Sequence, residues 1–331
     1  MKWLQLEEQK RIATINQVSN TIGFPAQAVE KDWWVTLALR ALFSTKYAHY
    51  MAFKGGTSLS KSWNLISRFS EDIDIALDRK VLGFDGELSN SQIRTLRKKS
   101  CEFVSTELLK HLGMALVGLG VPEDQFQLIA QEVKSSDKDP QTIELRYKSL
   151  FSGERYLLEP VKIEVSPRSL MEPIEERKIE SLIDAEFGDQ DFVEKPFLVA
   201  TVLPKRTFLE KAFLLHEEFS KPAEKMRGER KSRHLYDLER LMDTEHGAEA
   251  MKDSKLFKLI GIHRAKFSPV EGVNYSEITL SALNFLPPDN VISEWRKDYQ
   301  VMSDILIPGD AISFEKLMER MYELKKRFEK K

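Results

Sequence analysis

Two neighbouring stretches constrain this chain more than any others: Phe53-Lys54-Gly55-Gly56-Thr57-Ser58-Leu59, then Phe69-Ser70-Glu71-Asp72-Ile73-Asp74-Ile75. The double glycine stands where a short strand gives way to a helix. Glycine lets the backbone come close to phosphate, and a helix N-terminus offers free N–H groups and a positive dipole end. Gly55, Gly56, Thr57 and Ser58 therefore form a candidate triphosphate cradle, with two hydroxyls as further donors. The loop is not of the Walker A type, because no G-x-x-x-x-G-K-[ST] occurs. In the second stretch, Ile73 and Ile75 alternate with Asp72 and Asp74, which marks a strand with one buried face. The aspartates share the other face. Two adjacent carboxylates repel unless a cation sits between them, and hard oxygen ligands suit Mg²⁺, which also binds substrate phosphates. Either stretch alone fits an ordinary glycine turn or a solvated strand. Together they point to an enzyme that moves a nucleotide.

Metal-assisted phosphoryl chemistry calls for a third acid on a neighbouring strand. The segments 142–148 and 156–165 both alternate, and the link 152–155 makes them a hairpin. Val161, Ile163 and Val165 point inward, so Glu164 points to the face that the aspartates use. Glu144 on the partner strand is the rival candidate.

Around this core the pattern is helical. Residues 3–45 read as helix, and the run from Trp33 to Phe43 is apolar nearly all round, as in a buried helix. Further helices are expected at 59–66, capped by Thr57 or Ser58, and at 92–113, 208–219, 234–242 and 314–328. Pro287-Pro288 and Pro308-Gly309 break the C-terminal part. The expected class is α+β: a mixed-sheet core with N-terminal helices over residues 1–200, then a helical domain over residues 201–331.

Net charge is -2, so attraction to nucleic acid must come from local patches. The basic cluster Lys225, Arg227, Arg230, Lys231 and Arg233 is one, suited to phosphate contacts along an RNA backbone. Others lie at Arg94–Lys99 and at the C-terminal end. Cys101 is the only cysteine, which excludes an intramolecular disulfide and fits a reducing cytosol. Without an apolar leader or a membrane-length apolar run, a cytoplasmic protein with no membrane partner is expected. The six histidines show no metal-binding spacing.

The order G-G-x-S, D-x-D and a later strand acid resembles the DNA polymerase β-like nucleotidyltransferase superfamily. In detail the chain resembles the AbiEii/AbiGii toxin family. Glu30-Lys31-Asp32-Trp33-Trp34-Val35 is similar to that family's N-terminal helix. Phe53 to Lys61 with Arg68 to Asp74 is similar to its core. Glu210-Lys211-Ala212 and Arg233-His234-Leu235-Tyr236-Asp237-Leu238 are similar to its later motifs. These stretches run from about residue 30 to about 240; residues 241–331 match no motif of the family and have no assigned role.

The resemblance implies that Ser58 contacts the triphosphate and that Asp72 and Asp74, with Glu164, hold Mg²⁺ in a two-metal site. It also implies that Lys211 binds phosphate and that Asp237 completes the site from the helical half. Glu164 departs from the pattern, since aspartate is commoner there and glutamate is one methylene longer. From the residues alone, Lys211 lays its stem along apolar Leu209, Ala212 and Phe213, and Asp237 has Lys211 or Arg233 as a partner. The implied activity is transfer of a nucleoside monophosphate from an NTP to an acceptor hydroxyl. The 3′ end of tRNA is the expected acceptor, with arrest of translation as the result. A toxin of this kind has an antitoxin, encoded nearby, as partner and serves in abortive phage infection. The alternatives are an antibiotic- or protein-modifying nucleotidyltransferase and a non-catalytic nucleotide- or RNA-binding module.

Overall fold

The computed structural model describes residues 1–132, 139–151, 160–309 and 311–330, which form two compact units. The expected hairpin link at 152–155, and the start of its second strand, lie outside the described residues.

The first unit comprises Met1–Ser62 and Phe69–Val202. It opens with helices α1 (Glu8–Ile22) and α2 (Ala26–Phe43), as the N-terminal pattern predicts. Fourteen of the eighteen residues of α2 are buried, so this helix is a core element rather than an amphipathic cover. Strand β1 (Met51–Lys54) leads directly into α3 (Gly55–Lys61), and β2 (Ile73–Leu77) follows. Helix α3 starts at the glycines themselves and ends early, in place of the expected span 59–66. Gly55, at φ 82°, makes the turn without side-chain capping by Thr57 or Ser58.

Helix α4 (Asn90–Phe103) begins at a capping box, with Ser89 and Gln92 exchanging side-chain and backbone hydrogen bonds. After a π turn it continues as α5 (Leu109–Gly118). Then come β3 (Phe126–Ala130), β4 (Gln141–Tyr147), β5 (Val161–Ser166), β6 (Ile174–Ile179), α6 (Leu182–Phe187) and β7 (Phe197–Val202).

The seven strands form one mixed sheet in the order β3-β4-β5-β2-β1-β7-β6. The pairs β2–β5 and β1–β7 are parallel and the other four are antiparallel. Phe53, Ile73, Ile75, Ile163 and Val165 are buried, and α2 packs on β5 and β7. The buried Trp34 of α2 stacks on Tyr147 at 4.9 Å between ring centroids.

The second unit comprises Trp63–Arg68 and Leu203–Lys331. Its helices are α7 (Pro204–Phe219), α8 (Ser232–Leu241), α9 (Glu245–Lys252), α10 (Ser254–Phe267), α11 (Ile292–Leu306) and α12 (Phe314–Glu329). Pro204 occupies the first turn of α7, where its missing N–H costs nothing. Helix α7 packs on α8, α9 and α10, and α8 packs on α11 and α12. The two proline-containing breaks fall between α10 and α11 and between α11 and α12, as expected. Among the described residues no helix is long and apolar enough to cross a membrane.

Candidate active site

Strand register assembles the first half of the site. Asp74 pairs with Lys54 across β1–β2 and with Glu164 across β2–β5, and Glu164 pairs with Thr142 across β4–β5. Side chains of register partners share a face, so Lys54, Asp74, Glu164 and Thr142 form one row across four strands. Asp72 stands immediately before β2, outside the strand proper. Both aspartates are half-buried while Ile73 and Ile75 are fully buried, which is the alternation the sequence predicts. Glu144 shares that face two residues further along β4, outside the row: it lies opposite Lys162 and is engaged by Gln131 and Arg146, each at 2.9 Å. The Gln131 hydrogen bond leads the contributions that hold its carboxyl below the usual range, against partial burial.

Gly55 matters to this row directly. A Cβ built on Gly55 would overlap the carboxylate of Asp74. The glycine turn and the second aspartate are thus in contact, and the missing side chain is what makes room for the acid. Gly55→Ala would combine that clash with a left-handed backbone, which costs roughly 1–2 kcal/mol for a non-glycine residue. The variant is expected to lose nucleotide binding, measured by titration calorimetry, and several degrees of melting temperature.

The hydroxyls beside the glycines are engaged within the protein. Thr57 Oγ1 donates to the Asp72 carbonyl at 2.5 Å and lies 2.9 Å from Ser70 Oγ. Ser58 Oγ donates to the Gly55 carbonyl at 2.9 Å. Both residues are buried.

Among the described residues no three His, Cys, Asp or Glu side chains converge as a ready-made metal centre. The donor chemistry is nonetheless that of a hard divalent cation, with carboxylates adjacent in register and room kept for one of them. Asp72, Asp74 and Glu164 are the residues that would hold such an ion.

Lys211 and Asp237 come together in the second unit. The Asp237 carboxylate is wholly buried and takes three charged hydrogen bonds: Arg68 Nε at 2.7 Å, Arg68 Nη2 at 2.8 Å and Lys211 Nζ at 2.8 Å. Burial by itself would raise its pKa, but Arg68 and then Lys211 hold the carboxyl well below the usual range. Burial and the neighbouring Arg68 favour the neutral form of Lys211, and Asp237 opposes them. His234 Nδ1 lies 3.3 Å from Lys211 Nζ. Burial, Lys211 and Arg233 push the imidazole pKa well down, so the ring is uncharged at neutral pH.

Sequence reasoning offered Lys211 or Arg233 as the partner of Asp237 and missed Arg68. The signal was present, because Arg68 stands four residues before Asp72 in the largely polar run Arg68-Phe69-Ser70-Glu71-Asp72. Lys31 and Glu71 were missed as a pair. An unbroken charged triplet, Glu30-Lys31-Asp32, in an otherwise apolar helix was the clue, since buried charges require partners.

The basic cluster at 225–233 is partly neutralised. Lys231 pairs with Glu218 at 2.6 Å, and the backbone of Gly228 and Arg230 donates to Glu294 and Asp298. Lys225 and Arg227 remain exposed.

No curated protein sequence matches the chain. The structure is similar to MenT4, a nucleotidyltransferase toxin from Mycobacterium tuberculosis H37Rv, with a TM-score of 0.55 and 17% identity over 95% of this chain and 88% of that one. It is also similar to JHP933 from Helicobacter pylori, with a TM-score of 0.46 and 16% identity over 93% of this chain and 94% of that one. The family model for the nucleotidyl transferase AbiEii toxin of type IV toxin–antitoxin systems matches residues 37–320. That match begins after the Glu30–Val35 motif. It also extends far beyond residue 240 and takes in α9, α10, α11 and the first turns of α12. With the glycine turn, the strand acids and most of the helical half inside the matched residues, the chain is a nucleotidyltransferase and belongs to the AbiEii toxin family.

Proposed function

We propose that the enzyme transfers a nucleoside monophosphate from an NTP to the 3′-terminal hydroxyl of tRNA, in a reaction dependent on Mg²⁺, and so blocks translation. The observation that carries the nucleotide half of this reading is the contact of Gly55 with Asp74, itself in register with Glu164. A phosphate-approach turn and a carboxylate pair lie side by side. The tRNA half rests on the family and on the exposed basic side chains Lys225 and Arg227.

In this reading Gly55, Gly56, Thr57 and Ser58 receive the triphosphate. Asp72, Asp74 and Glu164 hold the divalent cation, which supplies charge neutralisation at the phosphates and activation of the attacking hydroxyl. Lys211 contacts phosphate, where a fixed cation stabilises charge on the departing pyrophosphate. Asp237 orients Lys211 and favours its charged form, against the pull of burial. Its own oxygens are already engaged by Arg68 and Lys211, which suits orientation better than metal ligation. Catalysis by such a site is chiefly positioning and electrostatics. A cognate antitoxin, encoded nearby, is the expected protein partner, and phage defence the expected setting.

Incubation with α-³²P-labelled NTPs, Mg²⁺ and total tRNA tests the reading. Label is expected on tRNA and is expected to vanish when the terminal ribose has been oxidised with periodate. Label on protein or on a small molecule instead would sink the tRNA assignment and leave the transfer chemistry standing.

A further inference from the structure

Three consecutive charged residues of α2 are buried, and each is bound to a different part of the first unit. Lys31 Nζ meets Glu71 Oε2 at 2.7 Å, with side chains 1% and 6% exposed. Asp32 Oδ1 accepts from Lys61 Nζ at 2.6 Å, and its Oδ2 accepts from the Leu182 N–H at 2.8 Å. Glu30 accepts from Ser149 Oγ at 2.6 Å and from the Leu150 N–H at 2.8 Å. Successive residues of a helix diverge by about 100°, so one turn of α2 reaches three directions at once.

Two of those directions bear on the proposed site. Glu71 is the residue immediately before Asp72, and Lys61 ends α3, the helix that Gly55 starts. Thr57 then ties the two together, donating from α3 to the Asp72 carbonyl. The closed circuit runs Glu71–Lys31, then along α2 to Asp32–Lys61, then along α3 to Thr57–Asp72. It holds the phosphate turn and the first aspartate at a fixed separation. A buried ion pair is seldom kept for stability, because apolar residues of similar volume do as well. Here one member sits beside a carboxylate that must be aimed.

We propose that Lys31, Glu71 and Asp32 are positioning residues of the nucleotidyltransferase site, and that Lys31 sets the position of Asp72 through Glu71. This rests on the reading of Asp72 and Asp74 as divalent-cation ligands. Residues that orient ligands from behind typically change metal affinity about 10- to 100-fold.

The test uses the full chain and Mn²⁺ as a spectroscopic probe. Free Mn²⁺ is counted by electron paramagnetic resonance in the presence of a non-hydrolysable NTP analogue, beside melting temperature and the Mg²⁺ midpoint of nucleotide transfer. Lys31→Met combined with Glu71→Leu replaces the pair by apolar side chains and is expected to melt close to the parent. It should nevertheless bind Mn²⁺ about tenfold more weakly and need correspondingly more Mg²⁺. Thr57→Val, which breaks the circuit at its other end, should shift Mn²⁺ binding in the same direction also when Mn²⁺ is titrated without nucleotide, where a lost triphosphate contact plays no part. A folded double variant with parental Mn²⁺ affinity overturns the proposal. If the double variant does not fold, parental affinity in Thr57→Val does so. Asp74→Asn separates the two layers of the argument: if it binds Mn²⁺ like the parent, the cation site itself is misassigned and the positioning role falls with it.

Discussion

Asp74→Asn is expected to reduce nucleotide transfer by at least about a thousandfold while leaving the melting temperature at or slightly above that of the parent. The two expectations have one cause. Asp74 is in register with Glu164, so two carboxylates lie side by side on a half-buried face. Like charges directly opposite on neighbouring strands destabilise a sheet. Asparagine has nearly the same shape, keeps the strand and removes one charge, which relieves the repulsion. The activity depends on that same charge, because a neutral amide is a poor ligand for a hard cation. Each factor of ten in rate corresponds to 1.36 kcal/mol, so a thousandfold loss asks about 4 kcal/mol of one ligand. Transfer of α-labelled NTP and differential scanning calorimetry on the same preparation check both halves. A folded Asp74→Asn protein with parental transfer would remove the carboxylate row from the chemistry.

Asp237→Ala is expected to have the largest effect on stability. Its carboxylate is buried and neutralises Arg68 and Lys211 together. Removing one member of a buried ionic cluster leaves uncompensated charge and typically costs about 3–5 kcal/mol. Asp237→Asn keeps the volume and still leaves both cations without their counter-charge, so it should also destabilise. The pH dependence has a definite sign. The carboxyl pKa is depressed in the folded state, so the folded chain binds fewer protons than the unfolded chain across the carboxylate range. The stabilisation is complete above the ordinary aspartate pKa of about 4 and is lost as the pH falls through that range towards the depressed value. The parent should therefore lose melting temperature steeply on acidification below about pH 4.5, and Asp237→Asn should show a flatter acid limb. Melting curves between pH 3 and pH 7 for both proteins decide it. Parallel curves would mean that Asp237 does not carry the linkage.

How far the sequence discloses this molecule differs from element to element. The alternation of Ile73 and Ile75 with Asp72 and Asp74, and of Val161, Ile163 and Val165 with Glu164, placed both strands and both polar faces, because a half-buried strand writes its geometry in period 2. Helix α2 was legible for the opposite reason, being apolar on all sides. Strands β3, β6 and β7 were not read. Strand β6 is Ile174-Glu175-Glu176-Arg177-Lys178-Ile179, an edge strand mostly exposed on both faces, where charge protects the edge and erases the hydrophobic period. The pairings were the least legible part. Arg68 with Asp237 spans 169 positions, and Lys31 with Glu71 spans 40. Local patterns carry no trace of such distances, only the oddity of charges among apolar residues.

The course of the chain between α3 and β2 limits how this protein can be divided. Six residues, Trp63–Arg68, leave the sheet-bearing unit, take their place among the C-terminal helices and return at Phe69. There Trp63 packs edge-on against His246, and Arg68 finds its counter-charge. A fragment ending at Val202 would thus keep the glycine turn and every strand acid, yet carry an arginine and a tryptophan whose partners had been cut away. The nucleotide-handling half is consequently not a portable module. A single cut after Val202 would leave neither unit whole.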